Sequence, residues 1–277
     1  MKKKIVQCFM LVLVLLLIAC SKEESEDKIE EVSEGISKAT VINNVLEKTI
    51  TSYKMKMEST GGSKTIGSKN EQLVEEETYT MDMVVQKEPF LICYNYVDPE
   101  DMTKAYIDSD SEYYNLNNSE RWYKISELDM AEKQELFSEG YLLEDIKRLL
   151  EFEDIIELQS RENEYILIAK VTDSSDKKSL AFVTDYIENN MKMELDTKRL
   201  KTTINEVKYT LIFDKDFLLK SSNIIADINL YQGTAKSNLY LNTKTVYSDV
   251  NNVRYFLMPE GISKNAINTD EFKNKAR

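Results

Sequence analysis

Long stretches in which apolar and polar residues alternate dominate the last third of this chain. The alternating stretches span 203–213, 218–230 and 239–247, and each is longer than an ordinary strand. Seven glycines and three prolines in 277 residues leave few sharp breaks between such stretches. The pattern therefore predicts a broad antiparallel sheet of long, curved strands rather than a compact barrel of short ones.

The same alternation occurs near the N-terminus of the body. Tyr53, Met55 and Met57 alternate with charged residues, and Gly61 and Gly62 are expected to break that strand. A second long strand is predicted to end before Pro89, with an apolar face formed by Tyr79, Met81, Met83 and Val85. Shorter strands are predicted at 90–97, 103–109, 112–116, 121–125, 154–160 and 164–172.

Four segments have the three- and four-residue apolar spacing of helices. One follows Gly35, one begins at Ser126, one covers 142–150, and one opens at Ser174 or Ser175. With no linker visible, residues 35–277 are predicted to form one α+β domain. The alternative is two domains that meet near 150–160, where the acidic run 151–154 is the only support.

The first 20 residues indicate export. Lys2, Lys3 and Lys4 precede an apolar run that is too short for a confident membrane span, and Ala19 then precedes Cys20. The tetrapeptide at 17–20 resembles the lipobox of bacterial lipoproteins, which implies cleavage of residues 1–19 and lipidation of Cys20 with diacylglycerol. An ordinary signal peptide with an incidental cysteine is the alternative. Two long acyl chains hold a protein stably on a membrane.

Residues 20–34 follow as an acylated N-terminus and an acidic tether. The tether has no aromatic residue and cannot bury enough apolar surface to order itself. The localisation expected from this arrangement is the cell membrane, with the body lipid-anchored on the extracytoplasmic side. The partner expected first is therefore the membrane itself, reached through Cys20.

Charge and composition exclude several functions. The net charge of −13 becomes −16 once residues 1–19, with their three lysines, are removed. A surface this acidic argues against nucleic acid as a partner. The chain has no histidine, which excludes histidine-based triads and histidine metal sites. Cys93 lies in an apolar stretch and is interpreted as a core residue rather than a nucleophile.

Two acidic motifs are candidates for reactive sites. The stretch 108–112 resembles the start of a calcium loop but has Tyr113 where that loop needs glycine and Asn118 where it needs glutamate. Asp98, Glu100 and Asp101 could form a carboxylate pair, yet nothing separates them from the other acids of this surface. We therefore expect no catalytic residue, no metal and no cofactor, and a protein that is not an enzyme.

The remaining candidates are apolar. Methionine surfaces adapt to irregular hydrophobic ligands, and methionines and tyrosines recur here at alternating strand positions. A sheet covered by only a few helices can leave a cavity between the layers. The residues predicted to face such a cavity are Tyr53, Met55, Met57, Tyr79, Met81, Met83 and Val85. The plainer interpretation of each is a core residue beneath the helices.

The overall layout is similar to that of Gram-positive-type lipoproteins related to the LolA and LppX-like group. The resemblance is carried by the lipobox, the tether, the strand at 52–57, Met81-Asp82-Met83, Tyr113-Tyr114-Asn115 and Trp122-Tyr123-Lys124. It implies an open half-barrel with helices over its concave face, and a cavity for a lipid or an acyl chain. It thus favours a non-enzymatic, membrane-anchored protein that binds a hydrophobic ligand. The alternative is an accessory scaffold of the cell envelope with a filled core and no ligand.

Overall fold

The computed structural model describes residues 36–66, 72–125, 146–147, 151–161, 163–172, 178–179, 181–183, 201–232 and 235–269. The predicted signal peptide, Cys20 and the tether lie outside these residues, as does most of the three helices predicted between 126 and 191. Within the described part of the chain, no helix combines the length and apolar character needed to cross a membrane.

In the described ranges, twelve strands form one sheet, which is antiparallel except at one edge. The five longest strands are continuous runs of 14 or 15 residues, or roughly 50 Å. The strands are β1 (Ser52–Ile66), β2 (Gln72–Gln86), β3 (Leu91–Val97), β4 (Met102–Asp108), β5 (Glu112–Leu116), β6 (Tyr123–Ile125), β7 (Ile156–Arg161), β8 (Glu164–Val171), β9 (Lys201–Asp214), β10 (Leu219–Gln232), β11 (Ala235–Ser248) and β12 (Ile267–Asn268).

The sheet consists of two meanders joined in the middle. The strand order is β12-β6-β5-β4-β3-β2-β1-β11-β10-β9-β8-β7. Successive strands are neighbours within β1–β6 and within β7–β11, and the long pairing of β1 with β11 joins the two halves. The sheet therefore stays open, with β7 at one edge and the short, parallel β12 at the other.

Pairing register places apolar residues of the central strands on the same face of the sheet. Because alternate residues share a face and direct partners lie side by side, Met55, Met83 and Tyr247 lie on the same face. The face that carries these residues, together with Leu211 and Ile228, is called the helix face below. The opposite face, which carries the lysines of β1, is called the back face.

Helix α1 (Lys38–Leu46) packs on the helix face of β7–β11. Ser37 caps it, since its Oγ accepts a hydrogen bond from the Thr40 amide at 3.1 Å. Lys38 Nζ donates to the backbone oxygens of Glu153 and Ile156, which fixes the start of α1 against a 3₁₀ turn (Glu153–Ile155) and β7. The buried residues of α1 belong to a large core cluster. The cluster contains Val41, Ile42, Val45, Ile146, Ile156, Leu158, Leu167, Ala169, Val171, Phe182, Val183, Ile204, Val207, Tyr209, Leu211, Phe213, Leu219, Ala226, Ile228 and Leu241.

Most predicted strands are confirmed, and the break at Gly61 and Gly62 is wrong. Strand β1 continues through both glycines to Ile66. A Cβ added to Gly61 would lie 3.1 Å from Leu241 Cδ1 on the neighbouring strand. Glycine is thus present here because Leu241 packs closely against the backbone of β1, and the sequence signal of a turn is overridden by tertiary contact.

The C-terminal segment after β11 was not predicted to have any structure. It runs over the back face of the N-terminal half, where the Val253 amide donates to Ser52 Oγ at 3.3 Å and the Phe256 amide donates to Gln86 Oε1 at 3.1 Å. A short helix, α2 (Glu260–Asn265), follows and buries Ile262. The segment then adds β12 to the sheet beside β6.

Candidate functional site

A second, smaller apolar cluster lies on the helix face of the N-terminal half. Its buried members are Met83, Val85, Ile92 and Ile107, one or two from each of β2, β3 and β4. Tyr53, Met55, Met81, Phe90 and Tyr94 pack against it and are only partly buried. A smaller share of the apolar side chains is therefore buried here than in the large cluster, where twenty residues are buried and nine are partly buried.

A cavity of about 360 Å³ opens beside this cluster. Cross-strand pairing builds it in rows: Met83 lies beside Tyr94, and Met81, Tyr96 and Thr103 are successive partners across β2, β3 and β4. Its volume falls within the range of small-ligand pockets. The lining residues are Met81, Met83, Tyr94, Tyr96, Thr103, Ile107 and Glu112.

The polar groups of the cavity lie among these apolar side chains. Tyr94 Oη donates to Glu112 Oε1 at 3.3 Å. Burial, together with the Glu112 carboxylate, raises the pKa of Tyr94 well above its ordinary value, so the hydroxyl keeps its proton. Burial also raises the pKa of Tyr96, whose ring contacts that of Tyr79 with 6.3 Å between centroids. The cavity is thus mostly apolar, with three hydroxyls and one carboxylate.

All seven residues predicted from the sequence to face a cavity lie on the helix face. Tyr53, Met55 and Met57 of β1 are the direct partners of Val85, Met83 and Met81 of β2, and Tyr79 lies opposite Ser59. The cavity itself is lined by two of the seven, Met81 and Met83. Tyr53, Met55 and Val85 belong to the adjoining cluster.

Burial differs among the seven. Val85 is only 1 % exposed, which makes it a core residue. Burial raises the pKa of Tyr53 to about 12, in keeping with a phenol among apolar neighbours. Val85 is thus buried and Tyr53 partly buried, and the role of all seven in binding a ligand stays a prediction.

Sequence reasoning missed five lining residues: Tyr94, Tyr96, Thr103, Ile107 and Glu112. A signal was present in β3, where Tyr94 and Tyr96 alternate with Cys93 and Asn95 just as Met81 and Met83 alternate with polar residues in β2. If β2 and β3 are paired as neighbouring strands across their predicted turn, this alternation places Tyr94 and Tyr96 on the same face as Met81 and Met83. The position of Glu112 depends on the pairing of β4 with β5.

A larger cavity, about 510 Å³, lies on the back face under the C-terminal segment. It is lined by Lys54 and Asp249, which form an ion pair at 2.6 Å, and by Arg254 and other residues of that segment. Cys93 also lines it. Burial raises the pKa of the Cys93 thiol, and a hydrogen bond with Tyr106 partly offsets that rise. Charged groups and a protonated thiol make this cavity a poorer apolar site than the one on the helix face.

The two acidic motifs close turns. Asp98 accepts hydrogen bonds from the amides of Glu100 and Asp101, between β3 and β4. Asp108 accepts from the amides of Asp110 and Ser111, between β4 and β5. Both are Asx turns, in which the carboxylate satisfies backbone donors. Over the described ranges, no group of three or more acidic, cysteine or histidine residues is arranged to hold a metal ion.

Two solved structures resemble this chain weakly. The ywiB protein from Bacillus subtilis is 11% identical, with a TM-score of 0.19, over 69% of this chain and 92% of that protein. A LolA superfamily protein from Nitrosomonas europaea is 10% identical, with a TM-score of 0.17, over 80% of this chain and 96% of that protein. TM-scores this low carry no argument about the fold or ligand of this chain.

Comparison with protein families gives a more definite result. No curated protein matches the chain. Residues 37–267, which run from the cap of α1 to β12, match a single family over nearly the whole described sheet. The chain belongs to the family described as a family of unknown function, DUF6612.

Proposed function

We propose that this protein binds a hydrophobic ligand, a lipid or an acyl chain, in the cavity on the helix face. The ligand lies against Met81 and Met83 and between the rings of Tyr94 and Tyr96. The sheet in this proposal is an open half-barrel whose concave side is the helix face. Binding needs no catalytic group, since apolar burial supplies the affinity.

The single observation that carries the proposal is the cavity of about 360 Å³ with its mostly apolar lining. Methionine side chains are flexible and polarizable, which suits acyl chains of varied shape. The exposed large apolar side chains of the described strands, Leu116, Val246 and Ile267, belong to three different strands, whereas the apolar lining residues converge on one space. Convergence of apolar groups with a few polar ones is typical of ligand pockets.

The proposal places the protein on the extracytoplasmic side of the cell membrane, anchored through diacylglycerol on Cys20. The support is the sequence at 17–20 together with the basic and apolar residues before it. A fixed anchor limits the protein to capturing or handing over ligand close to the membrane. Free shuttling of cargo over long distances is not part of the proposal.

Filling the cavity tests ligand binding. Met81→Trp puts a larger ring into the lining, and Thr80→Trp puts the same ring on the exposed back face one residue away. Native mass spectrometry of the purified full-length chain is expected to detect a non-covalent lipid. The same measurement on Met81→Trp should show its loss, while Thr80→Trp should keep it. Saturable uptake of an uncharged fluorescent acyl probe should likewise be lost in Met81→Trp and kept in Thr80→Trp.

Two results would contradict the proposal. One is the absence of both co-purified lipid and saturable probe uptake in the unsubstituted protein. The other is equal uptake by Met81→Trp and the unsubstituted protein, which would place the probe elsewhere. Cys20-linked acyl chains are distinguished in this measurement because they remain covalently attached.

The anchor is tested separately. Metabolic labelling with an alkyne fatty acid is expected to mark the protein, and Cys20→Ser should abolish the label and release the body from the membrane fraction. A label that persists in Cys20→Ser would contradict lipidation at this residue. Cavity binding does not depend on this outcome.

A scaffold function for an envelope partner is the second candidate, and one observation favours it. Tyr255 and Leu257 of the C-terminal segment are both 64% exposed. Exposed apolar side chains of this size can serve as contacts for a protein partner. Cross-linking from position 255 to an envelope protein, combined with no lipid in the cavity, would support the scaffold over the binding protein.

A further inference from the structure

The back face carries a polar cluster at the opposite end of the long strands from Lys54. Its members come from β9, β10 and β11 and are Asn205, Asp227, Asn229, Asn238 and Tyr240, called the amide patch below. Asp227 pairs directly with Tyr240, and Asn229 pairs with Asn238. Neither of the two cavities described above includes any of these five residues, so the amide patch is a separate feature of the sheet.

Hydrogen bonds hold the side chains of the amide patch in place. Asn205 Nδ2 and Asn238 Nδ2 both donate to Asp227 Oδ1, at 2.8 and 2.6 Å. Asn229, which is only 6% exposed, donates to Asn205 Oδ1 at 2.9 Å and accepts from Asn238 Nδ2 at 3.3 Å. These bonds fix the positions of the polar groups before any ligand is present.

A β-bulge brings Asn205 into the amide patch. The register of β9 against β10 shifts between Asp227 and Ile228, which pair with Glu206 and Ile204, so Asn205 between them has no direct partner on β10. A bulge of this kind redirects a side chain. Asn205 thereby reaches the Asp227 carboxylate on the back face.

The hydrogen-bond network leaves several groups over. Among the described residues, no donor reaches Asp227 Oδ2 or Asn238 Oδ1, and Asn205 uses only one of its two amide protons. Asn205 is exposed, and Asp227 and Asn238 are half-buried, so these groups are accessible from solvent. The amide patch therefore offers two acceptors and one donor side by side.

Tyr240 supplies an aromatic ring beside these groups. Its direct partner on β1 is Gly62, which pairs in turn with Glu76 of β2. The Tyr240 hydroxyl is buried, and burial together with the Glu76 carboxylate raises the pKa of this phenol. Tyr240 and Glu76 are two strands apart, or about 10 Å. Their side chains therefore meet over Gly62, which has no side chain to block the ring. The ring thus lies against the sheet, and the half-buried residue presents one ring face outward.

Charges of both signs border the amide patch. Glu76 and Asp227 contribute negative charge, and Lys64 is the direct partner of Asn238 on β1. Glu206, the partner of Asp227 on β9, is paired with Lys170 at 3.5 Å. Neither an anionic polymer nor a cation therefore meets a field of one sign here. An uncharged ligand that is rich in hydrogen-bonding groups matches this surface best.

We propose that the amide patch binds an N-acetylhexosamine residue of a glycan. The C–H groups on one side of the sugar ring pack on the outward face of Tyr240. The acetamido N–H and a neighbouring hydroxyl donate to Asn238 Oδ1 and Asp227 Oδ2, and the acetamido oxygen accepts from Asn205. This site is separate from the cavity on the helix face, and it does not depend on lipid binding there.

Sugar titration of the full-length chain tests the proposal without any variant. Chitotetraose, a tetramer of β-1,4-linked N-acetylglucosamine, is expected to bind saturably in an NMR titration. Cellotetraose has the same linkage without the acetamido groups and should bind about tenfold more weakly, since the Asn205 donor then lacks its carbonyl partner. This comparison remains available if a substituted chain does not fold.

Substitutions locate the binding. Tyr240→Ala removes the ring and should weaken chitotetraose binding by about tenfold or more, whereas Tyr240→Phe keeps the ring and should stay within about threefold. Asp227→Ala removes an acceptor and the group that positions Asn205 and Asn238, so a loss of about tenfold is expected.

Two matched controls remove similar groups elsewhere on the back face. Asn242→Ala deletes an exposed amide from β11, and Asp82→Ala deletes an exposed carboxylate from β2. Both should leave chitotetraose binding unchanged. Circular dichroism of each variant shows whether it is folded.

Four results would overturn the assignment. They are no saturable binding of chitotetraose by the unsubstituted protein, equal binding of cellotetraose, unchanged binding in folded Tyr240→Ala or Asp227→Ala, and an equal loss in Asn242→Ala or Asp82→Ala. Failure of lipid binding has a different signature, because it is measured with the acyl probe and Met81→Trp. Either site can therefore fail while the other is retained.

Discussion

The two halves of the sheet present the same kind of face, yet they use it differently. On β7–β11 the apolar residues form a large cluster with buried residues of α1, and Phe213 and Val207 are fully buried in it. On β1–β5 the cluster has four buried members and leaves a cavity beside Met81. Alternation alone therefore predicts which side chains share a face of a strand, and the elements that pack on that face decide how much of it becomes buried core.

The largest expected change in the free energy of unfolding comes from truncating a side chain in the large cluster, compared with one that lines the cavity. Phe213→Ala removes a fully buried ring from the large cluster and should lower the free energy of unfolding by about 3–5 kcal/mol. Met81→Ala, at the partly covered cavity, should cost about 1 kcal/mol or less, since little new cavity is created. Urea unfolding monitored by circular dichroism measures both. Equal losses would show that the two halves are packed alike.

Alkaline pH is expected to act through Tyr53 at the edge of the smaller cluster. Its pKa is raised from 10.0 to about 12 in the folded protein, so the unfolded chain loses this proton first as pH rises. The contribution to stability is present in full below pH 10 and is lost between pH 10 and pH 12, by about 2–3 kcal/mol. Unfolding titrations at pH 9 and pH 12 should show the loss, and Tyr53→Phe should reduce it. An identical pH dependence in Tyr53→Phe would contradict this assignment.

The junction between the halves is tested at Gly61. Because a Cβ here would already lie 3.1 Å from Leu241 Cδ1, Gly61→Val should lower the free energy of unfolding by about 1–3 kcal/mol. The matched variant Gly61→Val with Leu241→Ala should recover part of that loss. The free energies of unfolding of the single and double variants measure this recovery. Strictly additive losses would contradict close packing against Leu241 as the reason for glycine at position 61.

The smallest expected change in the free energy of unfolding concerns α1, whose buried residues belong to the large cluster. Ser37→Ala removes the cap of α1 and should lower the free energy of unfolding by about 1 kcal/mol. Probe uptake by the cavity should be unaffected, since α1 packs on the other half of the sheet. Ser37→Asp, which can accept the same hydrogen bond, serves as the control. A loss of probe uptake in Ser37→Ala would show that the two halves are coupled.

Much of the strand pattern could be predicted from the sequence because burial on one face of a sheet imposes a two-residue period. The prediction of β5 at 112–116 is confirmed at both ends, and the long strands near the C-terminus are confirmed within four residues at each end. Gly61 was misread, since a glycine that admits a neighbouring side chain has the same local signal as one that permits a turn. The predicted middle helices lie mostly outside the described residues.

The candidate site was predictable only in part. Met81 and Met83 could be found because their strand is long and strictly alternating. Glu112 could not be found, since one acid among 49 acquires a special environment only through its neighbours on β3 and β4. Likewise, nothing in residues 253–259 indicates that they run over the back face, where hydrogen bonds to Ser52 and Gln86 hold them.

By itself, the sequence determined the two-residue period of the strands and the shared faces of Met55 with Met57 and of Met81 with Met83, because these depend on residues that are close along the chain. It also predicts an export signal that ends at Cys20. Tertiary structure alone decided that β1 pairs with β11, that α1 packs into the large cluster, and that Glu112 meets Tyr94 beside a cavity. Those contacts join residues that are far apart in sequence. Their formation depends on the free energy of burying complementary surfaces, which no local pattern records.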